Sequence, residues 1–318
     1  MVPISEHHGK VLITLADLVA AKVLAHGGAQ TRKPFDEVSA VETLTRDGFV
    51  EIAQAWDPVM AALGYRVDLH VVFVHSRPQV RWTRVDGSSG RCELADLLVV
   101  VDHKGPGRQR DRRAVLIQSK LLKNDKIKLR GKEWVQFELL SEWPMFTFVT
   151  PGYAPSARDF SDEHVCSNAL NSGEYGGIDL KAAPPLCVQE MVGPARSTTG
   201  RISFGQLLAG MTRGLDLNGR EAIAGGTDDW STTIDELLRV TAALPITVVS
   251  AVPRGHSHSL GMFVAQASYG VMPSLSAAGA GRGGPPPKFT AEGETPGGPI
   301  STVRMTFTSA EHIDDKAA

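Results

Sequence analysis

The chain has 318 residues, of which 42% are hydrophobic and 21% are charged, and its formal net charge is −2. These values are ordinary for a globular protein and exclude a wholly disordered chain. The small net charge argues against a protein that coats nucleic acid with its whole surface. No segment has the roughly 18 to 20 uninterrupted apolar residues that span a bilayer. The three cysteines lack CxxC spacing and are odd in number, so we expect a cytoplasmic protein without a disulfide framework.

Positive charge is concentrated in one segment. Residues 104–132 contain eleven Lys or Arg residues and two acids, a net charge of +9, which leaves −11 for the rest of the chain. Such a run is most often a solvated loop, but a local cationic surface also suits a polyanion. A nucleic-acid site should therefore lie on or beside this segment.

The first half of the chain contains well-marked elements. Hydrophobic spacing predicts a helix at residues 14–25 and a helical stretch at 35–63, with breaks at Gly48 and before Pro58. Alternation at 65–82 predicts an extended strand with a bend at 76–78, and apolar runs at 97–101 and 114–117 predict two strands buried on both faces. A turn rich in Gly, Pro and Arg separates these two strands. A helix at 133–143 and a strand at 145–150 follow.

Beyond residue 155 the pattern is weaker. Helices are predicted within 203–217 and 228–244, strands within 246–252 and 261–272, and an edge strand at 300–309. Residues 274–299 are rich in Gly, Pro, Ala and Ser, which predicts a flexible segment. We therefore predict an α+β (mixed α/β) fold with a domain at residues 1–155 and a C-terminal accessory region at 156–318 for recognition, oligomerisation or partner docking.

Three polar side chains lie at the margins of the two buried strands. Asp96 precedes the first strand, and Gln118 and Lys120 end the second, two residues apart and so on one face. Carboxylate and amide oxygens suit Mg²⁺ or Mn²⁺, and a lysine can orient a metal-bound water or steady charge on a phosphodiester. The alternative is structural: a salt bridge between Asp96 and Lys120, with Gln118 bonded to backbone.

The segments ADLLVVV and LIQSK resemble the PD-(D/E)xK nuclease superfamily, with glutamine in the variant position found in Mrr-type nucleases. The resemblance covers residues 36–150 and implies a restriction-endonuclease-like αβββαβ core that cleaves phosphodiester bonds with a metal. It implies Asp96, Gln118 and Lys120 as catalytic residues, with Asp96 and Gln118 as metal ligands. Because glutamine removes one negative charge, we expect a further acid to contribute. The resemblance points to Glu42 or Glu51 of the first helix, and Glu93 is a third candidate.

The cationic segment flanks these residues on both sides, so we expect contacts with the DNA backbone. The predicted nucleic-acid-binding residues are Arg108, Arg110, Arg112, Arg113, Lys123, Lys126, Lys128 and Arg130. By analogy, the function expected is a metal-dependent DNA endonuclease of a bacterial restriction or anti-phage system, a homo-oligomer controlled by a partner protein. The alternative is the same fold with a degraded site, which binds nucleic acid or a partner without cutting.

Overall fold

The computed structural model describes residues 4–28, 33–74, 78–105, 108–160, 172–193, 197–215, 218–242, 263–269 and 300–309. Its helices are α1 (Glu6–His26), α2 (Glu37–Thr43), α3 (Phe49–Ala62), α4 (Glu133–Glu142), α5 (Phe204–Arg213) and α6 (Asp229–Ala242), and a π-helical turn (Leu44–Gly48) joins α2 to α3. Its strands are β1 (Tyr65–Phe73), β2 (Gln79–Thr83), β3 (Ser89–Glu93), β4 (Leu97–Gly105), β5 (Arg108–Leu121), β6 (Phe146–Phe148), β7 (Gly173–Asp179), β8 (Leu186–Gly193), β9 (Ser197–Ser203), β10 (Arg220–Glu221), β11 (Phe263–Tyr269) and β12 (Thr302–Ser309). The predicted strand at 246–252 and the Gly- and Pro-rich segment at 274–299 lie outside the described residues.

A mixed sheet forms the centre of the fold, in the order β11-β1-β12-β4-β5-β7-β8-β9, and β10 pairs with β5. Strands β4 and β5 form an antiparallel pair, and each has a parallel neighbour on its other side, β12 beside β4 and β7 beside β5. The order β3-β2-β6 forms a second, small sheet. The predicted α+β class is confirmed, and the large sheet draws strands from both sides of residue 155.

Both faces of the large sheet are covered, which explains the continuous apolar run of β4. Leu97, Val99 and Val101 face a core shared with α1, α3 and α5. Leu98 and Val100 face a second core shared with α4, α6 and the small sheet. Side chains alternate between the faces of a strand, so a strand between two cores must be apolar at every position. The predicted burial of this strand on both faces is confirmed.

The predicted turn between the two central strands is shorter than expected. β4 continues to Gly105 and β5 begins at Arg108, and pairs such as Asp102 with Arg112 extend the ladder beyond the apolar runs. Within this charged extension, Asp102 accepts from Arg304 Nε of the neighbouring strand β12 at 2.5 Å. Charge pairing between strands therefore replaces apolar burial here.

Two further differences from the expected elements concern strand pairing, and a third concerns a helix. β12 is an inner strand between β1 and β4, although its sequence predicts an edge strand. The strand at 146–148 pairs with β2 in the small sheet, and β7, which the sequence pattern missed, lies beside β5 instead. Helix α3 runs through Pro58, so the predicted break before this proline is wrong. The predicted break at Gly48 coincides with the end of the π-helical turn.

Candidate active site

Asp96 and Gln118 meet across the start of the β4–β5 pair. Leu97 pairs with Ile117, and the Asp96 backbone N–H donates to the Ile117 carbonyl at 3.0 Å. This register brings the next residues, Asp96 and Gln118, together. Gln118 Nε2 donates to Asp96 Oδ2 at 2.5 Å, and the Ser119 backbone N–H donates to the same oxygen at 2.7 Å. The register of the strand pair therefore brings a side-chain donor and a backbone donor to the Asp96 carboxylate.

Lys120 lies beside this pair and is buried. Its Nζ is 3.4 Å from Glu37 Oε1, in the first turn of α2, and 3.6 Å from Glu133 Oε1, the first residue of α4. Glu133 also accepts from the Arg130 backbone N–H at 2.6 Å. The ammonium group thus joins the starts of two helices to the end of β5. A buried ammonium without such partners would carry a large desolvation cost.

Gln136 determines how the Gln118 amide is turned. One helical turn after Glu133, Gln136 Nε2 donates to Gln118 Oε1 at 3.2 Å. With its oxygen held there, the Gln118 amide presents its NH₂ group to Asp96. An amide oxygen facing an ionised carboxylate would place two acceptors together, which requires a proton or a cation between them. The Gln118 oxygen reaches the Asp96 side only if the amide turns.

The site carries more negative than positive charge. Asp96, Glu37 and Glu133 contribute three carboxylates around the single Lys120 ammonium. Burial raises the pKa of Asp96 to about 6, against the opposing effects of Lys120 and the Ser119 N–H, and nearby Glu37 raises it further. A carboxyl group of this kind is poised to exchange its proton for another cation near neutral pH.

A small depression opens beside Asp96, and its polar lining residues are Glu37, Glu93 and Asp96. Glu93 and Asp96 share this wall although they are three residues apart, because β3 ends at Glu93 and the chain is irregular before β4 begins. Val38, Val41 and Phe73 supply the apolar lining. Glu93 therefore lies beside the site. Regular strand alternation would place Glu93 and Asp96 on opposite faces, so their shared position requires the irregular chain between β3 and β4.

The helix glutamate that reaches Lys120 is Glu37, which the sequence analysis did not single out. Glu42 accepts from Arg46 at 3.0 Å, and Glu51 accepts from Lys22 at 2.6 Å. A local signal for Glu37 exists, since Asp36 caps α2 and therefore places Glu37 at the first helical position. Its distance to Lys120 still depends on how α2 packs, which local sequence does not specify.

The predicted cationic residues divide into buried and exposed groups. Contrary to prediction, Arg112 and Arg113 are buried structural residues: Arg112 binds the Ala222 carbonyl and Asp235, and Arg113 binds the carbonyls of Asn218 and Gly219. The carbonyl partners lie directly before and after β10, which pairs with β5, and Asp235 lies in α6. Arg108 and Arg110 belong to β5, but their side chains are outside the description. The exposed members, in the loop between β5 and α4, are Lys123, Lys126, Lys128 and Arg130.

Across the described ranges, no three His, Cys, Asp or Glu side chains lie close enough together to hold a metal ion. The same part of the chain has no helix that is long and apolar enough to cross a membrane. No protein-family model, curated protein or solved structure matches the sequence. Fold and site together define an α+β protein with a carboxylate, amide and ammonium cluster at one end of a central strand pair.

Proposed function

We propose that this protein is a metal-dependent DNA endonuclease of the PD-(D/E)xK type. The observation that carries the proposal is the direct contact between Asp96 and Gln118, with Lys120 two residues further along the same strand. These are the residues that the resemblance assigns to catalysis. Their convergence supports the proposal because a chance D…QxK pattern would not require the side chains to meet.

The order of the elements around the site also supports the proposal. An antiparallel strand pair carries the three residues, helix α4 follows, and β7 then lies parallel to the QxK strand β5. This order resembles the strand-strand-helix-strand part of an αβββαβ core, and we propose β7 as its last strand in place of residues 145–150. The strand β12 lies between β1 and β4 and would be an addition to such a core.

Carboxylate and amide oxygens suit Mg²⁺ or Mn²⁺. In the described arrangement, however, the Gln118 amide turns its nitrogen toward Asp96. Asp96 and Gln118 supply oxygen donors, and Glu37 is the helix carboxylate that we propose in place of Glu42 or Glu51. Magnesium keeps several water ligands and needs few protein ligands. The Gln118 amide has to turn for its oxygen to take part. When bound, the metal supplies an activated water and neutralises charge on the phosphate, and Lys120 provides a fixed positive charge beside it.

DNA is the proposed polyanion, held by its backbone on the exposed loop that contains Lys123, Lys126, Lys128 and Arg130. A role in bacterial restriction or anti-phage defence, self-association and control by a partner are parts of the proposal that follow by analogy with the resembled family. The proposed cytoplasmic location follows from the cysteine usage. The metal binding and DNA cleavage proposed for the site do not depend on these parts of the proposal.

One observation favours the second candidate function, a nuclease-like protein that binds without cutting. In the described arrangement the Gln118 NH₂ group already satisfies Asp96, and Lys120 already satisfies Glu37. A site whose side chains satisfy one another's hydrogen bonds in this way can persist without a metal. Metal-dependent cleavage separates the two candidates.

The test uses plasmid and linear DNA with Mg²⁺, Mn²⁺ or EDTA. We expect cleavage by the wild type with either metal, and a loss of at least about a hundredfold in Asp96→Ala and Lys120→Ala. Matched controls are Asp86→Ala, an exposed turn acid, and Lys10→Ala on the outer face of α1, which should cleave normally. Thermal unfolding checks that the variants are folded. Cleavage unaffected by both site substitutions, or equally fast in EDTA, would overturn the proposal.

A further inference from the structure

Two exposed aromatic rings lie next to the Lys120 site. Phe35 is 75% exposed and Trp134 is 50% exposed. Phe35 is two residues before Glu37, and Trp134 directly follows Glu133, the two glutamates whose carboxylates approach Lys120 to 3.4 and 3.6 Å. Residues so close in sequence have Cα atoms within about 7 Å of each other. The rings are therefore anchored on two different elements that converge on the same ammonium group.

Packing inside the protein does not account for these rings. The other four tryptophans, Trp56, Trp82, Trp143 and Trp230, are all buried. Trp134 meets Phe137 edge-to-face with 5.8 Å between ring centroids, which supports one side of the indole and leaves half of the side chain open.

The backbone of Phe35 is held in place, since its N–H donates to Ser39 Oγ at 3.1 Å within the capping arrangement of α2. Both rings are thus presented to solvent from fixed positions.

The surroundings of the rings indicate the chemistry of an occupant. The loop that leads from β5 to Trp134 exposes Lys123, Lys126, Lys128, Arg130 and Lys132. Cations that bind phosphates beside aromatic rings that stack on bases form the usual surface for unpaired nucleic acid. In a duplex both faces of each base are already covered by neighbours, so such a ring finds a free face only where bases are unpaired.

We propose that Phe35 and Trp134 form an aromatic mouth that stacks on unpaired bases, so that the preferred substrate is single-stranded or locally unpaired DNA. The inference rests on the proposed function and specifies its substrate class. The exposed cationic loop would hold the phosphates that neighbour the stacked bases. All four bases can stack on an aromatic ring. Stacking therefore selects unpaired over paired DNA and does not select a base sequence.

Intrinsic fluorescence provides the test because Trp134 is the exposed tryptophan of the five. The full-length protein is titrated in EDTA with a 16-nucleotide oligo(dT) and with a 16-base-pair duplex at equal salt. We expect oligo(dT) to quench the emission and to bind at least about tenfold more tightly than the duplex. Trp134→Leu should abolish the quenching, and Trp134→Leu and Phe35→Leu, which keep apolar side chains, should each weaken oligo(dT) binding by about tenfold. The matched control is Val85→Ala, at an exposed apolar position in the β2–β3 turn.

The results separate this inference from the proposed function. Quenching and tight oligo(dT) binding without any metal-dependent cleavage support the aromatic mouth and overturn the nuclease. Metal-dependent cleavage combined with oligo(dT) affinity unchanged in both leucine variants supports the nuclease and overturns the mouth. Tighter binding to the duplex that is lost in the leucine variants would indicate a wedge between paired bases, and this result also overturns the inference.

Discussion

Replacing Asp96 with asparagine should stabilise the metal-free protein at neutral pH. Burial raises the pKa of Asp96 to about 6, whereas the same group in an unfolded chain has a pKa of 3.8. Between these values the unfolded chain has released its proton and the folded chain has not. The folded state binds more protons there, so stability falls as pH rises through this window.

The size of this loss follows from the two pKa values. One pKa unit corresponds to about 1.4 kcal/mol, so the loss amounts to about 3 kcal/mol, most of it between pH 4 and pH 7. The asparagine side chain would have no proton to release and would keep an oxygen that accepts from the Ser119 N–H. The free-energy difference between Asp96→Asn and wild type should therefore shift in favour of the variant by about 2 kcal/mol from pH 4 to pH 7.

Urea unfolding in EDTA at pH 4, 5, 6 and 7 measures this shift directly, because contributions that do not titrate cancel between the two pH limits. Mn²⁺ provides the second half of the experiment: it should raise the unfolding midpoint of the wild type and leave the variant unchanged. A stability difference that stays constant over the pH range would refute the electrostatic reasoning. Equal stabilisation of both proteins by Mn²⁺ would refute the role of Asp96 as a ligand.

Four further substitutions test other parts of the structure. Arg112→Ala should cost about 3 kcal/mol in urea unfolding because it removes a buried guanidinium that binds both the Ala222 carbonyl and Asp235. In contrast, Lys126→Ala should leave stability unchanged and lower the salt dependence of DNA binding by about one phosphate contact, and a wild-type salt slope would contradict this. Burial raises the pKa of Glu174 to about 8. The wild type should therefore lose stability from pH 5 to pH 8 relative to Glu174→Gln. A free energy of unfolding that changes equally with pH in both proteins would contradict this prediction. The Gln118→Glu variant should bind Mn²⁺ at least about tenfold more tightly than the wild type, as measured by calorimetry. Unchanged affinity would show that the Gln118 amide does not limit metal binding.

The central strand pair could be predicted from sequence because its information is local. Continuous apolar runs identify β4 and β5, and the two-residue alternation places Gln118 and Lys120 on one face. The contact between Asp96 and Gln118 then follows from the register of neighbouring strands. No local pattern, however, tells which helix residue reaches Lys120, and Glu37 is 83 residues away from it along the chain.

Long-range pairing explains most of the elements that the sequence did not predict. β12 looks like an edge strand because a strand's own sequence does not identify its neighbours, and its partner β4 lies about 200 residues earlier. The glycines of β7 prevent its recognition as a strand from the sequence pattern. A Cβ at Gly173 would lie 2.5 Å from the Trp143 ring, and one at Gly177 would lie 2.8 Å from Leu122. Here glycine permits close packing beside β5, although glycine in a sequence usually indicates a turn.

The glutamine at position 118 explains how the site can be stable without a bound metal ion. A glutamate there would place a second carboxylate beside Asp96, and the pair would demand a shared proton or a metal at all times. The amide instead donates to Asp96 while its oxygen accepts from Gln136. A metal that recruits the amide oxygen must break both hydrogen bonds, each worth about 1 kcal/mol. Metal affinity is therefore set by competition with internal hydrogen bonds, and glutamine lowers it while leaving one oxygen donor at position 118.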